Sequence, residues 1–201
     1  MPTKRIKHLT AVVVGMTAAA LLAGPARAAP PPALLTAADL PGYENAEDWN
    51  DIVRPGDPDP AICTDPVAVG SVVNRPAITT HTSFIRRAGG PLLYEILIAA
   101  GPARANALVA EIAAAPRRCP QVRLGDDHTL TITKMRVPEL GARASGVLIR
   151  TATPSPTVTR LIVFAEGGRT AILMMVGGTD IGVLGMHKIA LTAAAKLAPG
   201  N

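Results

Sequence analysis

Between Thr129 and Val176 the chain carries four runs that read as β-strands, separated by short turn-forming segments. This feature constrains the fold most, because strands joined by connections this short pair antiparallel. Thr129–Val137 (TLTITKMRV) sets Leu130 and Ile132 against Thr129, Thr131 and Thr133, the period of a strand with one face buried. Ser145–Thr153 (SGVLIRTAT) follows a connection containing Pro138 and Gly141, and Val158–Glu166 (VTRLIVFAE) follows Pro154-Ser155-Pro156. Glu166-Gly167-Gly168-Arg169 reads as a tight hairpin turn into Thr170–Val176 (TAILMMV), which Gly177-Gly178 ends.

Upstream, Thr79–Arg87 (TTHTSFIRR) and Leu92–Ala99 (LLYEILIA) flank Ala88-Gly89-Gly90-Pro91 and read as a hairpin. Gly101 breaks the second strand, and Pro102 suits the first position of a helix. Ala105, Leu108, Val109 and Ile112 then fall on one helical face. Pro116 is expected to end this helix, with Arg117 and Arg118 near the negative end of its dipole. A last helix is expected from a cap at Thr179 or Asp180 through Lys196, with Leu184, Ile189, Leu191 and Leu197 among its apolar positions. Near the start, Thr36 and Asp39 form a capping-box pattern around a short turn that Pro41-Gly42 stops. Residues 43–61 read as a polar loop. These elements predict an α+β domain: a twisted antiparallel β-sheet of about six strands packed by an internal helix and a C-terminal helix.

The first 28 residues have a different logic. Lys4, Arg5 and Lys7 precede an uncharged apolar run from Ala11 to Gly24, and Ala26-Arg27-Ala28 follows as a small-x-small site. This is the layout of a secretory signal peptide, cleaved after Ala28. No cysteine follows the apolar run, which excludes a lipoprotein anchor. No later stretch reaches the about 18 continuous apolar residues of a spanning helix. The expectation is a secreted protein with a proline-rich leader (29–34) and a single domain (35–201).

Removing the signal changes the charge. The chain has 20 basic and 15 acidic residues, and four of the basic ones (Lys4, Arg5, Lys7, Arg27) lie in the signal. The remaining 16 against 15 leave +1. The basic balance is thus a targeting feature, and with Tyr43, Trp49, Phe84, Tyr94 and Phe164 as the only aromatics, stacking on bases has little support. Nucleic acid is not expected as a partner.

Cys63 and Cys119 are the only cysteines. In an oxidising compartment an even count reads as a disulfide. Two isolated thiols without CxxC or CxxH spacing do not make a zinc site. Cys119, in "APRRCP", would then staple the end of the internal helix to the loop carrying Cys63.

These features, in this order, resemble the extracellular sensor domain of the mycobacterial PknH-type receptor kinases and the related secreted actinobacterial sensor-domain proteins. The residues that carry the resemblance are "LLTAADLPGY" (34–43), Cys63, the Ala-rich helix entering "RRCP", the meander ending in "RTAILMMVGG" and the Ala-rich C-terminal helix. The resemblance implies an α+β sandwich-like fold with a ligand cleft, and a sensing or binding role without catalysis or cofactor. It names no ligand: a small molecule, a lipid or a cell-envelope component are the expected partner classes. The kinase sensor domains carry a second disulfide that this chain cannot form, and no kinase domain is present.

Other chemistry has sparser support. No GxSxG, GxGxxG or GxxxxGK[ST] motif occurs. Gly125-Asp126-Asp127-His128 puts two carboxylates beside a histidine. Asp126, Asp127 and His128, with His81, are the metal or acid–base candidates if the fold brings them together. Their alternative reading is turn chemistry for Gly-Asp-Asp and a strand position for His81. His187, beside Lys188, is expected on a solvated helix face. The arginine pairs Arg86–Arg87 and Arg117–Arg118 are candidates for an anion patch. The apolar strands "LLYEILIA" and "TAILMMV" could line a hydrophobic cleft or simply form core. Three function classes follow: a secreted non-enzymatic binding domain, a cell-envelope carrier of hydrophobic molecules, and a small secreted metal-dependent hydrolase.

Overall fold

The computed structural model describes residues 34–46, 62–63, 79–87, 90–99, 101–124, 128–140, 143–152, 156–177 and 183–198. The expected signal peptide, most of the leader, Asp126, Asp127 and the expected caps Thr179 and Asp180 lie outside the described residues.

The strands are β1 (Tyr43–Asn45), β2 (Thr79–Arg86), β3 (Leu92–Ile98), β4 (Gln121–Leu124), β5 (His128–Met135), β6 (Arg143–Ala152), β7 (Val158–Glu166) and β8 (Arg169–Gly177). They form one sheet in the order β1-β2-β3-β8-β7-β6-β5-β4, antiparallel throughout. Among the described residues the sheet therefore has eight strands, not about six. The two additions are β1 and β4, of three and four residues. Neither is long enough to show an alternation, and each exists because a longer neighbour offers it an unpaired edge.

The two helices, α1 (Pro102–Arg118) and α2 (Val183–Leu197), lie on opposite faces of the sheet. Tyr94, Ile96, Leu161, Val163, Ile172 and Met174 pack under α1. Their strand neighbours Leu93, Leu97, Ile162, Phe164, Leu173 and Met175 pack under α2. The central strands are apolar at nearly every position because both faces are covered. The β7–β8 hairpin turns through Gly167 and Gly168, at φ 55° and 80°, the left-handed pair of a type I′ turn. Gly101, also at positive φ, donates its N–H to Gly168 O at 3.0 Å and seats the start of α1 on that turn.

Pro116 does not end α1, which continues to Arg118. A proline in the last turn removes only one i→i−4 donor, and the Cys119 N–H still reaches Ala115 O at 2.9 Å. Ile112 and Ala115, 1% and 0% exposed, hold this turn on the core. The chain is then bonded through Cys119 to Cys63, with S–S 2.05 Å and Cα–Cα 5.5 Å. Ile62, 1% exposed, enters the α1-side core beside the bridge.

Along α2 the buried stripe is Met186, Ile189, Ala190, Ala193 and Leu197. Leu191 is not part of it: at 48% exposure it sits off the stripe that the 3- and 4-residue steps define. The small Ala190 and Ala193 let the helix approach the sheet closely. Leu35 and Leu40, which flank the 3-10 turn Ala37–Asp39, are buried in the same layer. Among the described residues no helix is long and apolar enough to cross a membrane.

Candidate functional site

The N-terminal segment reaches the α2 face through three polar contacts. Asp39 accepts hydrogen bonds from the Thr36 N–H and Oγ1–H, both at 2.7 Å, and from Lys196 Nζ on α2. Lys196 Nζ also donates to Leu34 O at 3.0 Å. The Lys196 hydrogen bond lowers the Asp39 pKa below its ordinary value, against the opposing effect of burial. Beneath them Glu95, on β3 and 1% exposed, accepts the Leu35 N–H at 2.6 Å. Burial pushes the Glu95 carboxyl up to about 7, although the Leu35 N–H and Lys196 favour its charged form.

Beside this clasp lies a half-open cleft of about 300 Å³. Three separate parts of the chain build it: the segment after the 3-10 turn (Leu40, Pro41, Tyr43), the β2–β3 corner (Arg86, Pro91) and α2 (Gly185, Lys188, Ile189, Thr192). Met175 of β8 and Asp39 complete the lining. Burial raises the Tyr43 phenol pKa, and the Arg86 charge opposes that rise. With Asp39 engaged by Lys196, the lining offers a ligand an apolar surface and two cations, Arg86 and Lys188.

Of the candidate metal and acid–base residues, His81 and His128 are not brought together. His81 lies on β2 and His128 begins β5, five strand spacings apart in the sheet order. At ~4.8 Å per spacing that is about 24 Å, beyond any shared metal. Asp126 and Asp127 lie outside the described residues. Among the described residues no group of three or more His, Cys, Asp or Glu side chains could hold a metal ion. His187 Nε2 lies 2.9 Å from Arg136 O, which gives the imidazole a structural contact.

The two arginine pairs do not form one patch. Arg86 lines the cleft on the α2 face, whereas Arg117 and Arg118 end α1 on the opposite face. The apolar strands "LLYEILIA" and "TAILMMV" go mostly into the two cores, and Met175 alone of their residues lines the cleft.

No family model matches the chain, and no curated protein does. Among solved structures, a Pseudomonas aeruginosa protein of unknown function is similar over 59% of this chain and 79% of its own, at 10% identity and a TM-score of 0.28. A likeness at that level carries no argument about fold or function.

Three charged residues with roles on the α2 face lie outside the candidates that motif reading supplies. Glu95 and Arg160 are lone charges inside apolar strands, at 1% and 7% exposure. The signal was available: a charge at an inward position of an alternating strand is rare unless something meets it. Lys188 carries no such mark, because its place in the cleft depends on how α2 docks.

Proposed function

We propose that this protein is a secreted, non-enzymatic domain that binds a small ligand in the cleft between α2, the N-terminal segment and the β2–β3 corner, in the manner of the sensor domains its sequence resembles. The observation that carries this reading is the lining itself. Leu40, Pro41, Met175 and Ile189 present apolar surface, and Arg86 and Lys188 add positive charge at one pocket. Apolar walls with a few placed polar groups are the usual composition of a small-molecule site. The charged groups there would orient a ligand against the apolar wall. Secretion fits the disulfide, since such bonds persist in oxidising compartments.

The test uses Gly185, where an added Cβ meets nothing within 4 Å. Gly185→Trp projects an indole into the cleft from a helical position that favours a side chain over glycine. Native mass spectrometry of protein purified from its own secretion medium should show a co-purifying molecule in the wild type and none in the variant. Retention of the same molecule by a folded Gly185→Trp would overturn the site assignment.

A further inference from the structure

On the α2 face of β7, Arg160 is buried to 7% exposure, yet its Nε and Nη1 atoms have no hydrogen-bond partner among the described residues. The sheet register defines its surroundings. Arg160 lies opposite Leu148 of β6 on one side and Met175 of β8 on the other. Val158 and Ile162 flank it along its own strand on the same face. None of these four neighbours carries a carboxylate. The nearest charge that register supplies is another cation: Arg150, opposite Val158, is the diagonal neighbour of Arg160 across the β6–β7 pair. Burial first, and the Arg150 charge second, push the Arg160 guanidinium below its ordinary pKa. Thr131 lies opposite Arg150 and Thr133 opposite Leu148, so two hydroxyls border the pair on the β5 side.

A guanidinium cannot shed its charge to escape burial near neutral pH, and like charges at a diagonal pair repel. Such an arrangement is stable when an anion supplies what the described neighbours do not. Arg150 is exposed and Arg160 buried, so the diagonal pair runs from the solvent side to a cation whose Nε and Nη1 find no partner among the described residues. The geometry points to an oxyanion-binding site at Arg160 and Arg150, taking a carboxylate or phosphate group, with Thr131 as the neighbouring hydroxyl donor, the Thr133 hydroxyl being turned to Leu148 O. Met175 separates this site from the cleft, being both part of the cleft lining and the β8 neighbour of Arg160. The site stands whether or not the cleft binds anything.

The experiment is a thermal melt of the protein, followed by circular dichroism, in chloride against phosphate and against acetate at matched ionic strength. The wild type should rise in Tm by about 4 °C once the effective anion is at roughly ten times its Kd. Response to phosphate or to acetate alone assigns the chemical class. Arg160→Met should melt higher than wild type in chloride, because it removes an unpaired buried charge, and should lose the saturable rise. Arg150→Met should keep the rise at weaker affinity. The reverse pattern, Arg160→Met melting lower in chloride with an unchanged anion response, would mean the fold already satisfies Arg160 and would overturn the proposal. Should Arg160→Met not fold, arginine side-chain NMR of the wild type decides. A buried, exchange-protected Nε–Hε signal must move along a saturating isotherm with phosphate or acetate, and a stationary signal refutes the site.

Discussion

The Leu35 amide N–H donates to Glu95 Oε2 at 2.6 Å, joining the start of the described chain to a central strand across 60 residues of sequence. Glu95 is the buried end of a clasp whose partly exposed end is Asp39 with Lys196. The two carboxylates respond to pH in opposite senses, because one is held by burial and the other by a cation.

For Glu95 the folded pKa of about 7 lies above the ordinary 4.5. Between these values the unfolded chain has released its proton while the folded protein keeps it, so stability falls as pH rises through this window and levels off above it. The total fall is about 3 kcal/mol. Glu95→Gln keeps an acceptor for the Leu35 N–H and removes the titration. Urea unfolding from pH 4.5 to 8.5 should therefore show a downward slope in wild type that the variant lacks. The two proteins differ only at this side chain, so the difference between their profiles isolates Glu95. Parallel profiles would contradict the buried-carboxylate account.

Asp39 has the opposite sign. Its folded pKa is lowered below 3.8, chiefly by the Lys196 hydrogen bond. Its contribution is present above the unfolded pKa and is lost as pH falls through the folded value. Asp39→Asn should cost about 1 kcal/mol at pH 6, the scale of a partly exposed ion pair, and flatten the acid limb below pH ~3.8. A double-mutant cycle with Lys196→Met assigns the coupling to this pair. Full additivity would show that the pair contributes nothing.

The bond between Cys63 and Cys119 closes a separation of 56 residues. On the chain-entropy account a loop of that size contributes about 4 kcal/mol, by limiting the unfolded ensemble. Cys63→Ser/Cys119→Ser should lose about that much in chemical denaturation. Intact mass should drop by two hydrogens relative to the reduced chain. Two thiols freely alkylated in native protein would contradict the pairing.

The parts of this fold legible in the sequence are those whose signal is local. The four strands after Thr129, the β2–β3 hairpin, the glycine turn at Gly167-Gly168 and the α1 stripe depend on period or turn chemistry within a few residues. The cysteine pairing depended only on count and compartment. β1 and β4 were not legible, since three or four residues carry no period and their partners are set by tertiary register. The alanine richness of α2 hides which face docks, so nothing local separates the exposed Leu191 from the apolar residues of the buried stripe. The cleft draws on segments far apart in the chain, so its residues share no motif. Capping chemistry marked Asp39, but its partner Lys196 lies 157 residues away and required the fold.

Gly146 shows the same dependence on a non-local neighbour. It sits on β6 opposite Met135 of β5 and Ile162 of β7. A Cβ built there would lie 2.6 Å from Val137 Cγ1 and 3.2 Å from Met135 Cε. The glycine thus leaves the space into which Val137 folds back as the chain leaves β5. Gly146→Ala should destabilise by about 1–3 kcal/mol through overpacking, since the contact atoms belong to side chains already packed on the α2-side core. Val137→Ala removes the nearest of these atoms and creates the room the new methyl needs. The double variant Gly146→Ala/Val137→Ala should therefore be more stable than the sum of the two single losses, measured by urea unfolding. Strict additivity would place the cost of Gly146→Ala in the backbone and not in this contact.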